Sequence, residues 1–317
     1  MIALLRAEVH RFTSRRLMRV LAVATLAILA LILLRVASIS EVRTERPPAP
    51  PQFIVDEHRQ ACEQAKARGE IPPSEPCDIE YNQAAYEVDQ RVHARTALRE
   101  ATTAATVVVA LLAFVAAASY VGAEWHHGTM QALLFWEPRR GRVLFAKAAA
   151  AVLVSLAFML VLQVVTYAGT YLIAATRGTT TGVTSGLHIS NLLLVLRGGV
   201  FVSIVALLSY AIAGLARITG AALGAAFFYF AIFENVIAGV RPGWERWLIT
   251  RNVAAILAQK IQVQPAHPPR GPGAFEDQFL EFRMYTLTST RGVITLGVYL
   301  TILLGAYYLV FTRRDVT

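Results

Sequence analysis

Residues 192–240 read LLLVLRGGVFVSIVALLSYAIAGLARITGAALGAAFFYFAIFENVIAGV. A helix needs about 20 apolar residues to cross a bilayer core of about 30 Å. This stretch holds two crossings, Leu192–Ala216 and Ile218–Val240, interrupted only by Arg217 and its neighbours. It predicts a tight helical hairpin in lipid. Four more runs of spanning length lie outside it: Leu17–Leu34, Ala101–Val121, Val143–Ala175 and Val293–Phe311. The prediction is an all-α integral membrane protein with six transmembrane helices. The third run exceeds a bilayer's thickness, which places its Lys147 end in the cytosol.

Composition agrees. Hydrophobic residues make up 56% of the 317 and charged residues 16%, against about 45–50% and about 25% in soluble domains. These values exclude a disordered chain, a disulfide-dense scaffold and an ordinary cytosolic enzyme. The net charge of +9 is nearly all arginine, the only lysines being Lys66, Lys147 and Lys260. In so apolar a chain, basic charge is the positive-inside signal and a contact with lipid rather than with nucleic acid.

That signal sets the orientation. Arg6, Arg11, Arg15, Arg16 and Arg19 precede the first span. Arg139, Arg140 and Arg142 precede the third, Arg217 turns the fourth into the fifth, and Arg313 and Arg314 follow the sixth. With six spans all of these fall on one side, so both termini are expected in the cytoplasm and the chain in the cell membrane. The basic segment Arg241–Arg291 falls outside, but long loops obey the rule weakly. The first span starts like a signal peptide, yet its apolar run is longer and no A-x-A follows, so it is read as retained.

The chain divides accordingly. Residues 1–16 form an amphipathic helix, with Ile2, Leu5, Val9 and Phe12 on one face, expected to lie in the headgroup plane. Residues 17–121 hold the first two spans and an external helical cap, 35–100. Residues 122–142 are a cytosolic loop, 143–240 the third to fifth spans, 241–291 an external loop with interfacial helices, and 292–317 the sixth span and tail. In the cap, Pro47, Pro48, Pro50 and Pro51 break the helix leaving the membrane. Asp56 is expected to cap a helix ending near Gly69, before a second break at Pro72, Pro73 and Pro76. From Asp78 to Tyr120 there is neither Pro nor Gly, which predicts one helix of roughly 60 Å. Cys62 and Cys77 are the only cysteines, both in this cap, and an oxidising compartment favours a disulfide between them. In the last external loop a helix Trp244–Lys260 would turn Trp244, Trp247, Leu248 and Ile256 to the interface. Pro265, Pro268, Pro269 and Pro272 form a linker, and Phe275–Leu287 is expected to re-enter as a short interfacial helix; a solvated loop with aromatic anchors is the equal alternative to a gate here.

The chemistry of an enzyme is missing. No G-x-x-x-x-G-K-[ST], H-E-x-x-H, G-x-S-x-G or C-x-x-C occurs. His126 and His127 are neighbours about 100° apart on a helix, a poor metal pair, so no metal site is expected. Within the spans stand Gln163, Arg197 and Glu234, candidates for the pathway or an interface; the plainer alternative pairs Glu234 with Arg197 or lets both reach the outer interface. Gly220 and Gly224 form a G-x-x-x-G that allows close helix approach.

The cytosolic loop, GAEWHHGTMQALLFWEPRRGRVLFAK at 122–147, alternates charged, aromatic and small residues in a way lipid does not require. It predicts a helix at Thr129–Phe135 that stops before Pro138, and a docking surface for a cytosolic protein. It resembles the membrane subunits of ABC transporters of the type-two exporter class, which includes drug, antibiotic and polysaccharide exporters. The matching residues are Glu124, Gly128–Thr129, Leu133–Leu134, Pro138 with Arg139 and Arg140, and Lys147. The ending FTRRDV, Phe311 to Val316, looks like that class's C-terminus. The cap is longer than in most members.

The resemblance implies a permease whose energy comes from a pair of cytosolic ABC ATPase subunits. ATP and Mg would be bound there and none by this chain, and a second permease, identical or homologous, would complete the pathway. It implies outward movement of an amphipathic or hydrophobic substrate, coupled through Glu124, Gly128, Thr129, Met130, Leu133, Leu134, Pro138, Arg139, Arg140, Arg142, Lys147 and Arg217. Glu124 and the arginines would offer charge of opposite sign to the ATPase. The alternative is a membrane-anchored sensory or assembly protein whose external cap binds a partner without transport.

Overall fold

The computed structural model describes residues 2–45, 51–72, 74, 76–77, 86–240, 242–263 and 285–313. Among these residues, six helices are long and apolar enough to cross a membrane: α2 (Arg16–Ile39), α4 (Ala94–His126), α6 (Arg140–Arg177), α7 (Ser185–Ala216), a fifth span over Thr219–Val240, and α11 (Ser289–Arg313). All six expected spans are present, each within a few residues of its apolar run. The molecule is an all-α, multi-pass membrane protein. Shorter helices precede and interleave the spans: α1 (Ile2–Thr13), α3 (Gln52–Ala67), α5 (Thr129–Trp136) and α10 (Ile249–Ala258).

Apolar side chains decide which helices form the core. Ala110, Ala113, Ala116 and Ala117 of α4 let α6 and α7 approach closely, and Leu144, Met159, Phe201, Val202 and Tyr210 fill the seam. Gly214 on α7 lies against the Tyr307 ring of α11, and Gly122 on α4 against the backbone of Thr219, where a Cβ would overlap its neighbour. Polar groups join the same helices. Gln163 donates to the Thr102 carbonyl at 3.1 Å and to the Thr106 hydroxyl at 2.8 Å. Gln163 is thus an interhelical link between α6 and α4. In contrast, none of the most apolar window of α2 is buried, and only 6% of that of the fifth span.

The fifth span is not one regular helix. It runs as α8 (Thr219–Phe228), a π-helical turn (Tyr229–Phe233) and α9 (Glu234–Val240). Beyond Trp247 the chain turns into α10, which packs back on α11. The expected helix Trp244–Lys260 is instead a 3₁₀ turn (Pro242–Trp247) followed by α10, then strand β3 (Lys260–Val263). Trp244 and Trp247 are half exposed, as interfacial aromatics should be, but Leu248 and Ile256 are buried. The expectation that these two face the interface is therefore corrected: they pack inward. β3 pairs antiparallel with β4 (Tyr285–Thr288), Ile261 opposite Leu287. Tyr285–Leu287 is consequently strand rather than helix. The prolines at 265–272 and the aromatics at 275–282 lie outside the described residues.

The cap differs most from expectation. The helix read as starting at Asp78 starts at Ala94, and residues 78–85 lie outside the described residues. Ahead of it β2 (Tyr86–Asp89) pairs antiparallel with β1 (Val42–Glu45), Val42 opposite Asp89. The absence of Pro and Gly permitted a helix, but β1 offered a partner edge and won. A hydroxyl ties this hairpin to the bundle: Ser40 donates to the Arg177 carbonyl and accepts from the Val92 N–H, both at 3.0 Å. Arg91 donates to Asp89 through its guanidinium and its backbone N–H, and holds that exposed carboxyl well below the usual carboxylate range. The α3 helix begins at Gln52 behind Pro51, so Asp56 does not cap it; it does end near Gly69, which takes φ 73°. Cys62 and Cys77 are joined in a disulfide, Cα atoms 5.7 Å apart. Pro47, Pro48, Pro50 and Pro73 lie outside the described residues, as do residues 314–317.

Candidate functional site

The loop between α4 and α6 is built around a buried cluster of charge. Lys147, one turn into the apolar part of α6, is 0% exposed and reaches two carboxylates. Its Nζ lies 2.8 Å from Glu8 Oε2 on α1 and 2.5 Å from Glu124 Oε2 on α4. The contact with Glu8 is a directed hydrogen bond; that with Glu124 is an ion pair. Arg15 closes the cluster by donating to Glu124 Oε1 at 3.0 Å and to the Ser119 carbonyl at 3.1 Å. The Tyr120 hydroxyl donates to Glu8. Its ring stacks on Phe12 at 4.5 Å and lies under both Lys147 and Arg15. Two carboxylates face two cations here, and a third cation, Arg11, bonds Glu8 from the surface.

Removing one member of such a buried set strands the others, at about 3–5 kcal/mol. The cluster therefore fixes three elements to one another: α1, the end of α4 and the start of α6. This corrects two sequence readings. The α1 helix is not held only by the headgroup plane, because Glu8 and Phe12 plug it into the bundle while Ile2 stays exposed. Glu124 does not present charge to a partner surface; it points inward and is paired there with Lys147 and Arg15.

Neighbouring residues attach the loop to the remaining helices. Trp125 meets Phe311 of α11 edge-on at 6.0 Å, and Arg217 lies over the Trp125 ring at 4.5 Å. Arg217 adopts φ 62° to end α7, a left-handed conformation that Gly usually supplies. Arg140 donates to the Phe311 and Thr312 carbonyls, both at 3.3 Å, meeting acceptors that the end of α11 leaves free. Arg140 thus serves the bundle rather than facing outward.

Between these anchors stands α5. Gly128 takes φ 69° to turn the chain out of α4, and Thr129 donates to the Glu124 carbonyl at 3.3 Å. Met130 is buried and Leu133 and Leu134 are half buried against the core, so one face of α5 is already used. Its tip is not: Phe135 is 89% and Trp136 90% exposed. Pro138, Arg139 and Arg142 are exposed beside them. The sequence reading passed over Phe135 and Trp136. The signal was there, two aromatics ending a short helix just before Glu137-Pro138, with no neighbouring span to bury them.

A second constellation joins the fifth span to α10. The π-helical turn brings Tyr229 and Glu234 to the N-terminus of α10. The Ile249 N–H donates to the Tyr229 hydroxyl at 3.1 Å and the Thr250 N–H to Glu234 Oε1 at 2.9 Å. These are N–H groups a helix cannot satisfy itself, and a carboxylate there also meets the positive end of the helix dipole. Glu234 is buried, and it does not pair with Arg197, whose Nε donates to the Leu193 carbonyl at 3.1 Å. A Cβ on Gly220 or Gly224 would meet open space. Among the described residues no group of three or more His, Cys, Asp or Glu could hold a metal.

Residues 82–233 match the family described as ABC-2 family transporter protein. The matched interval is a little under half of the chain and runs from ahead of α4 to the π-helical turn, so it contains Glu124, Lys147 and α5. No curated protein matches the sequence.

Proposed function

We infer that this chain, a membrane permease component of a type-two ABC transporter by its ABC-2 family domain, is the exporter subunit through which a separate ATPase moves an amphipathic substrate outward. ATP and Mg would be held by that ATPase pair. The observation that carries this reading is the mounting of α5. Glu124, Trp125, Arg140 and Lys147 tie its two flanks to α1, α6, the α7–α8 turn and α11. A push on α5 would be delivered to all of them together, as a loose loop could not do. Phe135 and Trp136, flanked by Arg139 and Arg142, supply an exposed aromatic anchor with a basic rim, the composition of a protein-binding hot spot. The orientation follows from the same assignment, with α5 and both termini in the cytoplasm.

The exposed faces of α2 and the fifth span support a second permease subunit. Gly220 and Gly224 leave room for close approach of another helix, and Phe227 and Phe228 beside them are uncovered. Reconstitution tests the reading. The chain in liposomes with a candidate ABC ATPase should stimulate hydrolysis and move an amphipathic cargo. Binding without stimulation or movement would favour the sensory or assembly role instead.

A further inference from the structure

The faces of α4, α7, the fifth span, α10 and α11 line a half-open cavity of about 1510 Å³. That exceeds the few hundred to about 1,000 Å³ of an ordinary small-molecule pocket. Its walls are aliphatic and aromatic, from Leu111, Phe114, Phe201, Leu208, Phe230 and Trp247 among others. The α4 face that lines it begins at Arg99, the only charged residue in the lining among the described residues. The α7 face carries Phe201, Val205, Leu208 and Ile212, and one turn earlier on the same face stands Arg197. Side chains on a helix lean towards its N-terminus, and α7 starts at the cap end, so Arg197 leans towards the end where Arg99 lies. Gly198, the next residue on α7, packs against Thr106 of α4, two turns along α4 from Arg99.

Neither arginine has an acidic partner among the described residues. Arg197 Nη1 is shut off from solvent and has no hydrogen-bond partner. A guanidinium nitrogen closed to solvent with an unmet donor, on a partly exposed side chain one turn from the cavity wall, is a ready partner for an anion. Glu234 is the nearest obvious candidate from the sequence, and it is committed to the Thr250 N–H instead.

We propose that the cavity between α4, α7 and the fifth span holds a membrane-dissolved anionic amphiphile, its apolar body against Phe114, Phe201 and Leu208 and its phosphate or carboxylate between Arg99 and Arg197. The assignment rests on the transporter reading for its meaning as cargo, but the site itself is a property of this chain alone. Phosphate and carboxylate suit a pair of guanidinium forks because each presents oxygens two at a time. A neutral amphiphile would fill the chamber and leave Arg197 Nη1 unmet.

The test uses the full chain in phosphatidylcholine nanodiscs without any ATPase, so its outcome is independent of whether transport occurs. The probes are dodecyl phosphate and dodecanol, each with a photoreactive diazirine at the chain end, and labelled residues are mapped by mass spectrometry. Dodecyl phosphate should label the cavity walls at least about tenfold more strongly than dodecanol. Arg99→Gln and Arg197→Gln should each abolish most of that preference while leaving thermal stability near wild type. A repeat in nanodiscs containing phosphatidylglycerol separates the sources. Competition assigns the site to an anionic phospholipid, and its absence to a single-chain cargo; either supports an anionic occupant. Equal labelling by the two probes, labelling indifferent to both arginines, or labels only on lipid-facing α2 would overturn the proposal. Cavity labelling as expected, alongside a separate liposome reconstitution in which the chain fails to stimulate the ATPase, would count against the transporter reading and leave this site standing.

Discussion

Lys147 shows how much a single side chain can hold. Its ammonium is fully buried between Glu8 and Glu124, so Lys147→Met leaves two carboxylates facing each other with no cation between them, Arg11 and Arg15 holding only their outer sides. The loss should be about 3–5 kcal/mol, read as a clear fall in the melting temperature of the detergent-solubilised chain. Glu8→Gln combined with Lys147→Met should cost less than the sum of the two, because contacting residues couple. Additive losses would mean the two do not interact. Little of this was legible beforehand. Glu124 and Lys147 stood out through their resemblance to a family pattern, but Glu8 lies on the polar part of an amphipathic helix, where a solvated carboxylate is the ordinary expectation. Only the fold brings position 8 to position 147.

Glu234 makes a second case at this scale. The cost of a charge facing lipid marked it as engaged, and it is, with the α10 N-terminus. Glu234→Gln keeps an acceptor but removes the charge, so α10 should loosen without unfolding. Faster amide exchange at Thr250 than in wild type, with α4 and α6 unchanged, is the expected result; unchanged exchange would show that the carboxylate does not hold α10.

Among elements, the six spans were legible because lipid imposes a simple demand, about 20 apolar residues each, and apolar runs are visible in one dimension. The cap was not, because a short strand such as β2 exists only through its partner β1. The π-helical turn at Tyr229–Phe233 was also hidden, since it is set by what Tyr229 and Glu234 bind rather than by local composition. The α5 helix was found to within a residue, yet its used and free faces were not separable from sequence. Met130 is buried whereas Trp136 is exposed. Trp136→Ala should therefore leave membrane insertion and melting temperature near wild type while weakening the ATPase complex tenfold or more, as loss of an aromatic hot spot does. A pull-down with unchanged affinity would move the docking surface elsewhere.

Across the whole molecule, the parts divide by rigidity. The α4, α6 and α7 core, with α1 clamped by the charge cluster and α11 by Arg140, forms one packed body. The fifth span and α2 touch it lightly and keep apolar faces open. The cap is joined to the core by Ser40 and stapled by Cys62–Cys77. Closing a loop of this size stabilises a fold by about 3 kcal/mol in the chain-entropy model. Alkylation should accordingly find no reactive thiol in the native chain and two after reduction.

That absence of free thiols makes the decisive measurement simple. Trp136→Cys and Met130→Cys can each be introduced on the native background and treated with a short thiol cross-linker in the complex with the ABC ATPase. Trp136→Cys should cross-link to the ATPase in high yield and Met130→Cys hardly at all, because α5 presents its tip and buries its other face. A complex that hydrolyses ATP, yet cross-links through neither position or better through Met130→Cys, would contradict the account that α5 receives the motion of the ATPase.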